Sequence, residues 1–275
     1  MLSNKRAGVG TWTIIALFLA WSLLPLYWLI NTAFQSPLNT TILPPRWFPS
    51  ADVSAFSAAF ADPALQKGLV NSLVTAVGAT LIAVLLGAFA GYALGLLSQA
   101  KNGGNFGFWV LSTRMAPPIA VALPYFVLYG STNLGDTTQG LILSHIVLVI
   151  GVVTWILTES FRAIPREILE AALVDGCGYG SAYFRVMLKL ALPGLVGAAS
   201  IAFLLSWNDF FFALILTNTR AITAPLADYQ AIGFQSVDLG ALAATSTIVL
   251  VPTALVVAFF QKQLVTGMTM GAVKG

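Results

Sequence analysis

The chain has 275 residues, 58% of them hydrophobic and 8% charged, with a formal charge of +3. A water-soluble domain carries roughly 25% charged residues, and a core of this size cannot hide so much apolar surface, so lipid must cover part of it. One cysteine, Cys177, excludes an intrachain disulfide; one histidine, His145, excludes a Cys/His metal cluster and any catalytic triad not built on that residue.

In chain order, Lys5 and Arg6 precede the apolar run Trp12–Ile30. That run exceeds the roughly 7–15 residues of a signal h-region and has no small-x-small cleavage site after it, so it reads as an uncleaved first span. Five further stretches approach or exceed the about 20 residues a spanning helix needs: Leu69–Leu97, Phe106–Tyr129, Gln139–Thr158, Gly194–Leu216 and Ala241–Phe260. Backbone groups cannot go unpaired in lipid, and these runs lack the apolar/polar alternation of barrel strands, so they predict helices. The fold class is all-α: a polytopic bundle of six membrane helices forming one domain over 1–275.

Asn31–Gly68 is rich in proline and aromatic residues and predicts a short cap. Gly87 to Gly91 and Gly91 to Gly95 are small-xxx-small patterns in the second span, a packing signal. His145 sits in the apolar run Gly140–Trp155; a histidine hydrogen-bonded between helices is favoured there over a proton relay.

With the N-terminus in the cytoplasm, Lys5, Arg6, Lys101, Arg162, Arg166, Arg185, Lys189, Lys262 and Lys274 fall inside. Only Arg46, Lys67 and Arg220 fall outside. The positive-inside rule therefore places both termini of a multi-pass membrane protein in the cytoplasm.

Residues 160–193 are the most informative connection. Pro165 suits a first helical position, Glu167 and Glu170 lie near the positive end of a short helix, and Gly176 suits its left-handed stop. Tyr179, Tyr183, Val186, Met187 and Leu190 then form one face of a second amphipathic helix. A helix–turn–helix on the membrane surface explains that face. It does not explain Ala171 and Ala172 set beside Glu170, Asp175 and Gly176, small residues among carboxylates that make a low knob for another protein's groove.

Glu170-Ala171-Ala172, three residues, then Gly176 resembles the EAA motif of bacterial ABC importer permeases. Val186-Met187-Leu188 matches the aliphatic end of that motif, with Lys189 in place of its proline, so the helix is expected to continue toward Pro193. Phe161–Glu167, Ser112–Pro118, Ser206-Trp-Asn-Asp-Phe210 and the tail Gln261–Gly275 are similar to MalG-like permeases of carbohydrate importers, and the similarity covers almost the whole chain. It implies the type I ABC importer permease fold in the bacterial inner membrane, with Glu170, Ala171, Ala172, Asp175 and Gly176 in a coupling helix docked on an ATPase. It also implies a second, MalF-like permease, two ATPase subunits holding ATP and Mg, and an extracytoplasmic solute-binding protein. Residues 261–275 would be a cytoplasmic tail reaching the ATPase. No cofactor on this chain and no nucleic acid is implied, and the solute is a sugar or sugar-like molecule.

Two charges lie within spans. Arg114 is expected to snorkel or to cap carbonyls freed by Pro117 and Pro118, with lining the translocation path as the alternative. Asp209, with Asn208 and Trp207, must face protein or a water-filled cavity. Either it makes an interhelical hydrogen bond or it lines the path, with Trp207 as a stacking surface. No G-x-x-x-x-G-K-[ST] occurs, so the chain has no P-loop of its own. An ion-coupled secondary transporter usually has related halves and several intramembrane ion sites, and a membrane enzyme needs a convergent catalytic cluster; neither is visible.

Overall fold

A computed structural model describes residues 8–98, 109–110, 112–231 and 238–269. Lys5, Arg6, Lys101, Lys274, the start of the third expected span and residues 270–275 lie outside the described residues. The chain is built of helices: α1 Val9–Ala33, α2 Ser54–Ala61, α3 Pro63–Ser98, α4 Pro118–Thr132, α5 Thr138–Arg162, α6 Arg166–Val174, α7 Tyr179–Leu190, α8 Leu192–Trp207, α9 Phe211–Leu216, α10 Ala224–Gln230 and α11 Leu239–Thr269. Helices α1, α3, α5 and α11 are long and apolar enough to cross a bilayer. A fifth crossing is available if α7 and α8, bent by 74° at Ala191, count as one span. The expected third span is not continuous where it is described: a 3-10 turn, Thr113–Met115, precedes the 15-residue α4, because Pro117 and Pro118 interrupt the backbone ladder.

The described residues divide into two compact units, one within Met1–Gln66 and Asp228–Leu250, the other within Lys67–Ala227 and Val251–Gly275. In the first unit, the sides of α1 stay exposed while its C-terminal end is covered. Asn31 donates to the Arg46 carbonyl at 2.9 Å, Gln35 donates to the Phe48 carbonyl at 2.9 Å, and Trp28 meets Trp47 edge-on. The proline- and aromatic-rich loop thus folds back on the end of its own helix. Asp228, at the C-terminal turn of α10, accepts hydrogen bonds from the hydroxyls of Thr245 and Ser246.

In the second unit, α5 is the central helix. Its buried face, including Val149, Val153, Leu157 and Phe161, meets both α3 and α8. The glycine spacing of α3 is legible here. A Cβ at Gly91 would stand 2.9 Å from the backbone carbonyl carbon of Leu157, so only glycine permits this approach. At the start of the expected tail, α11 continues as helix from Gln261 to Thr269, and Leu264 is buried.

Candidate functional site

The segment after α5 is shaped by its caps. Pro165 is the N-cap of α6 rather than its first helical residue, and Glu167 lies in the first turn, where the helix dipole favours a carboxylate. At the other end, the N–H of Cys177 donates to the Ala172 carbonyl at 3.0 Å and the N–H of Gly176 to that of Leu173 at 3.1 Å. These are the two bonds of a Schellman stop, and Gly176 takes φ 87° as that stop requires. Leu169 and Ala172 point into the second unit's core, whereas Glu170, Ala171, Val174 and Asp175 face out. Ala172 is therefore a seat for α6 on its own bundle, while its neighbours in the motif, Glu170 and Ala171, form the outward face. Arg166 Nε meets Glu170 Oε1 at 2.9 Å, and both side chains are more than half exposed. A cleft of ≈ 220 Å³ lies beside them, lined in part by Leu96, Leu169, Glu170 and Tyr179.

Helix α7 departs from regular spacing. A π-helical turn over Tyr183–Met187 buries Tyr183 and Met187 but leaves Tyr179 and Leu190 exposed, so the five-residue apolar face is split. The Tyr183 ring packs against Phe89 and Tyr92 of α3, with ring centroids 5.1 and 5.0 Å away. Helical structure continues past Lys189 to Leu190 and turns at Ala191; Pro193 does not end this helix but lies in the first turn of α8.

The expected fifth span, Gly194–Leu216, is broken. Helix α8 ends at Trp207, residues 208–210 leave the helical ladder, and α9 restarts at Phe211. Asp209 caps the restart: its Oδ2 accepts the N–H of Phe212 at 3.0 Å. The same oxygen lies 3.3 Å from Nε2 of His145 on α5, a close electrostatic approach without the alignment of a hydrogen bond. His145 Nδ1 is 2.7 Å from the Ser206 hydroxyl, and its side chain is 1% exposed. Asn208 is exposed and donates to the Leu204 carbonyl, while Thr253 of α11 donates to its side-chain oxygen at 3.4 Å. Asn208 and Asp209 form the polar part of a cavity of ≈ 660 Å³ whose other walls include Leu148, Leu204, Phe211 and Leu264. Trp207 is 2% exposed and stacks on Phe203, which leaves no face for a solute. The Arg114 backbone lies in the turn Thr113–Met115, and its side chain lies outside the described residues.

Sequence reasoning found Asp209 and a buried His145 but did not join them. The 61-residue separation of His145 from Ser206 carries no periodic signal; only packing of α8 on α5 brings them together. Asp136 was also missed. It accepts backbone N–H bonds from Asn218, Thr219, Arg220 and Ala221 at 3.0–3.2 Å, tying the α4–α5 turn to the loop after α9.

An all-helical chain with helices this long and apolar, bent and broken around a cavity with a polar rim, is of the multi-pass membrane transport class. Residues 83–270 match the family of binding-protein-dependent transport system inner membrane components. The trehalose transport system permease protein SugB of Mycobacterium tuberculosis is 34% identical, covering 96% of this chain and 97% of that protein. The sulfoquinovosyl glycerol transport system permease protein SmoH of Agrobacterium fabrum is 30% identical, covering 92% and 89%. A chain of a bacterial ABC transporter involved in import of the acidic polysaccharide alginate shares the fold, with TM-score 0.76 and 19% identity over 95% of this chain and 98% of that one. The chain belongs to the binding-protein-dependent transport permease family, and it is an inner-membrane permease component of an ABC importer.

Proposed function

We propose that this permease forms half of a translocation path for a sugar or sugar-like solute, spans the membrane six times with both termini in the cytoplasm, and is driven by two separate ATPase subunits. A second, MalF-like permease completes the path, and a solute-binding protein delivers the solute from outside. ATP and Mg act on the ATPases; no catalytic step is assigned to this chain. Relatives named for trehalose and sulfoquinovosyl glycerol support the solute class.

The observation that carries the reading is the outward face of α6: Glu170, Ala171 and Asp175 stand exposed beside a helix stop fixed by Gly176, while Leu169 and Ala172 anchor the helix beneath. A rigid helix with small exposed residues suits a groove on an ATPase, and it passes movement to α5 and α8 through the buried anchors. On the cavity side, Asn208 and Asp209 contact solute hydroxyls; Arg114 is retained as a path residue and Trp207 as support behind the wall. Six spans follow if residues before α4 complete the third crossing and α8 with α9 make the fifth.

The test is reconstitution of the chain with partner permease, ATPase and binding protein, supplied with trehalose and other disaccharides, polyols and sugar glycerols. ATP-dependent, ionophore-insensitive uptake that requires the ATPase is expected. Uptake that persists without the ATPase and collapses with an ion gradient would instead make the chain a secondary transporter. For topology, on a Cys177→Ser background, a cysteine at position 52 should label from outside and one at position 175 only from inside.

A further inference from the structure

His145 is buried, polar and unused by any step of the transport reading, yet it touches both sides of the break that shapes the cavity wall. Its Nδ1 meets Ser206 in the last turn of α8, and its Nε2 faces Asp209, which caps α9. We propose that His145 is a positioning residue for the solute path: it holds the Asp209 carboxylate by Oδ2 and so fixes the break at residues 208–210. The inference rests on the cavity being part of that path.

The arrangement is selective about protons. With the Ser206 hydroxyl donating to Nδ1, the proton of a neutral imidazole sits on Nε2 and faces the carboxylate. The opposite tautomer would set a lone pair against Oδ2. Ser206 thus orients the ring, the ring orients Asp209, and Asp209 holds the Phe212 N–H. Oδ2 accepts the Phe212 N–H and lies 3.3 Å from Nε2 of His145, whereas Oδ1 accepts no hydrogen bond from the described residues. A cavity-lining carboxylate is left with one free acceptor, the group a solute hydroxyl needs. Without the imidazole, a carboxylate against an apolar wall gains by turning to the water of the cavity, and the cap on Phe212 is released.

Amide hydrogen exchange of the assembled complex, resolved to the Phe212 N–H, tests this without any solute or ATPase turnover, so it stays decisive if the transport reading fails. His145→Leu should speed exchange at Phe212 by about tenfold. His145→Gln, which keeps a donor at the same depth, should remain within about threefold of wild type. Because both residues act on one cap, His145→Leu with Asp209→Ala should exchange no faster than Asp209→Ala alone. Ser206→Ala, which keeps the imidazole and removes only its orienting hydroxyl, should give an intermediate rate and serves if His145→Leu does not assemble. Unchanged exchange at Phe212 in His145→Leu and Ser206→Ala, additivity in the double variant, or equal acceleration along all of α5 would overturn the proposal.

Discussion

The α6 segment and the break before α9 are both places where a helix stops, and they stop in opposite ways. Helix α6 ends through its backbone: a glycine at φ 87° and two Schellman bonds, with most side chains turned to solvent. The α8–α9 break is held by side chains turned inward, with His145 and Ser206 at most 3% exposed. A stop made by backbone frees the side chains to meet another protein. A stop made by buried side chains commits them to the chain's own interior and leaves only a lip, Asn208 and Asp209, facing the cavity. The first is an external contact and the second an internal one; substitutions in the two regions should therefore fail in different ways.

The largest expected effect is at Gly176. Valine there meets open space but must adopt a left-handed backbone, at a cost of at least about 1 kcal/mol, and it misaims α6. Uptake and binding-protein-stimulated ATP hydrolysis in proteoliposomes should fall together by about tenfold or more, with normal amounts of permease in the membrane. Asp209→Ala comes next. It should lower uptake about fivefold, an amount near 1 kcal/mol, while ATPase subunits still co-purify. Loss of assembled complex instead would make Asp209 a packing group only.

A sharper comparison lies within α6 itself. Ala172→Leu overfills a buried position and should cost about 1–3 kcal/mol, seen as a lower melting temperature of the purified permease. Ala171→Leu, one residue away and exposed, should leave that temperature within experimental scatter and weaken ATPase docking instead. Equal melting shifts would erase the division between anchor and knob.

The smallest effect concerns the outer end. Partial burial raises the Asp136 pKa, but the N–H groups of Asn218, Ala221, Arg220 and Thr219 outweigh it and lower it from 3.8 to about 2. A depressed carboxylate contributes stability above its unfolded value, and that contribution disappears as pH falls from about 4 through about 2. Discounted for solvent screening, it is about 1 kcal/mol. Asp136→Asn should therefore melt lower than wild type at pH 6, with the gap closing near pH 2.

The helix-forming runs, the glycine stripe of α3 and the Gly176 stop were legible in the sequence because each is set by local chemistry: apolar length, small-residue spacing and a demand for positive φ. The break in the expected fifth span was not, since Ser206–Phe210 contains neither proline nor glycine and the break instead coincides with a tertiary approach of His145 to Asp209, which no local pattern signals. The split face of α7 was also hidden, because a π turn shifts the register that regular helical spacing assumes. That Ala172 lies on the inward face while its neighbour Ala171 is exposed was hidden for a simpler reason: a motif names neighbours in sequence, and on a helix adjacent residues point about 100° apart.

The most direct measurement is co-purification of the ATPase subunits with tagged permease carrying Gly176→Val, Glu170→Lys or Asp209→Ala, scored beside uptake from the same preparation. Loss of bound ATPase in the two α6 variants, with ATPase retained and uptake lowered in Asp209→Ala, is the predicted result. Wild-type ATPase binding and wild-type uptake in both α6 variants would contradict it and reduce residues 166–176 to a linker.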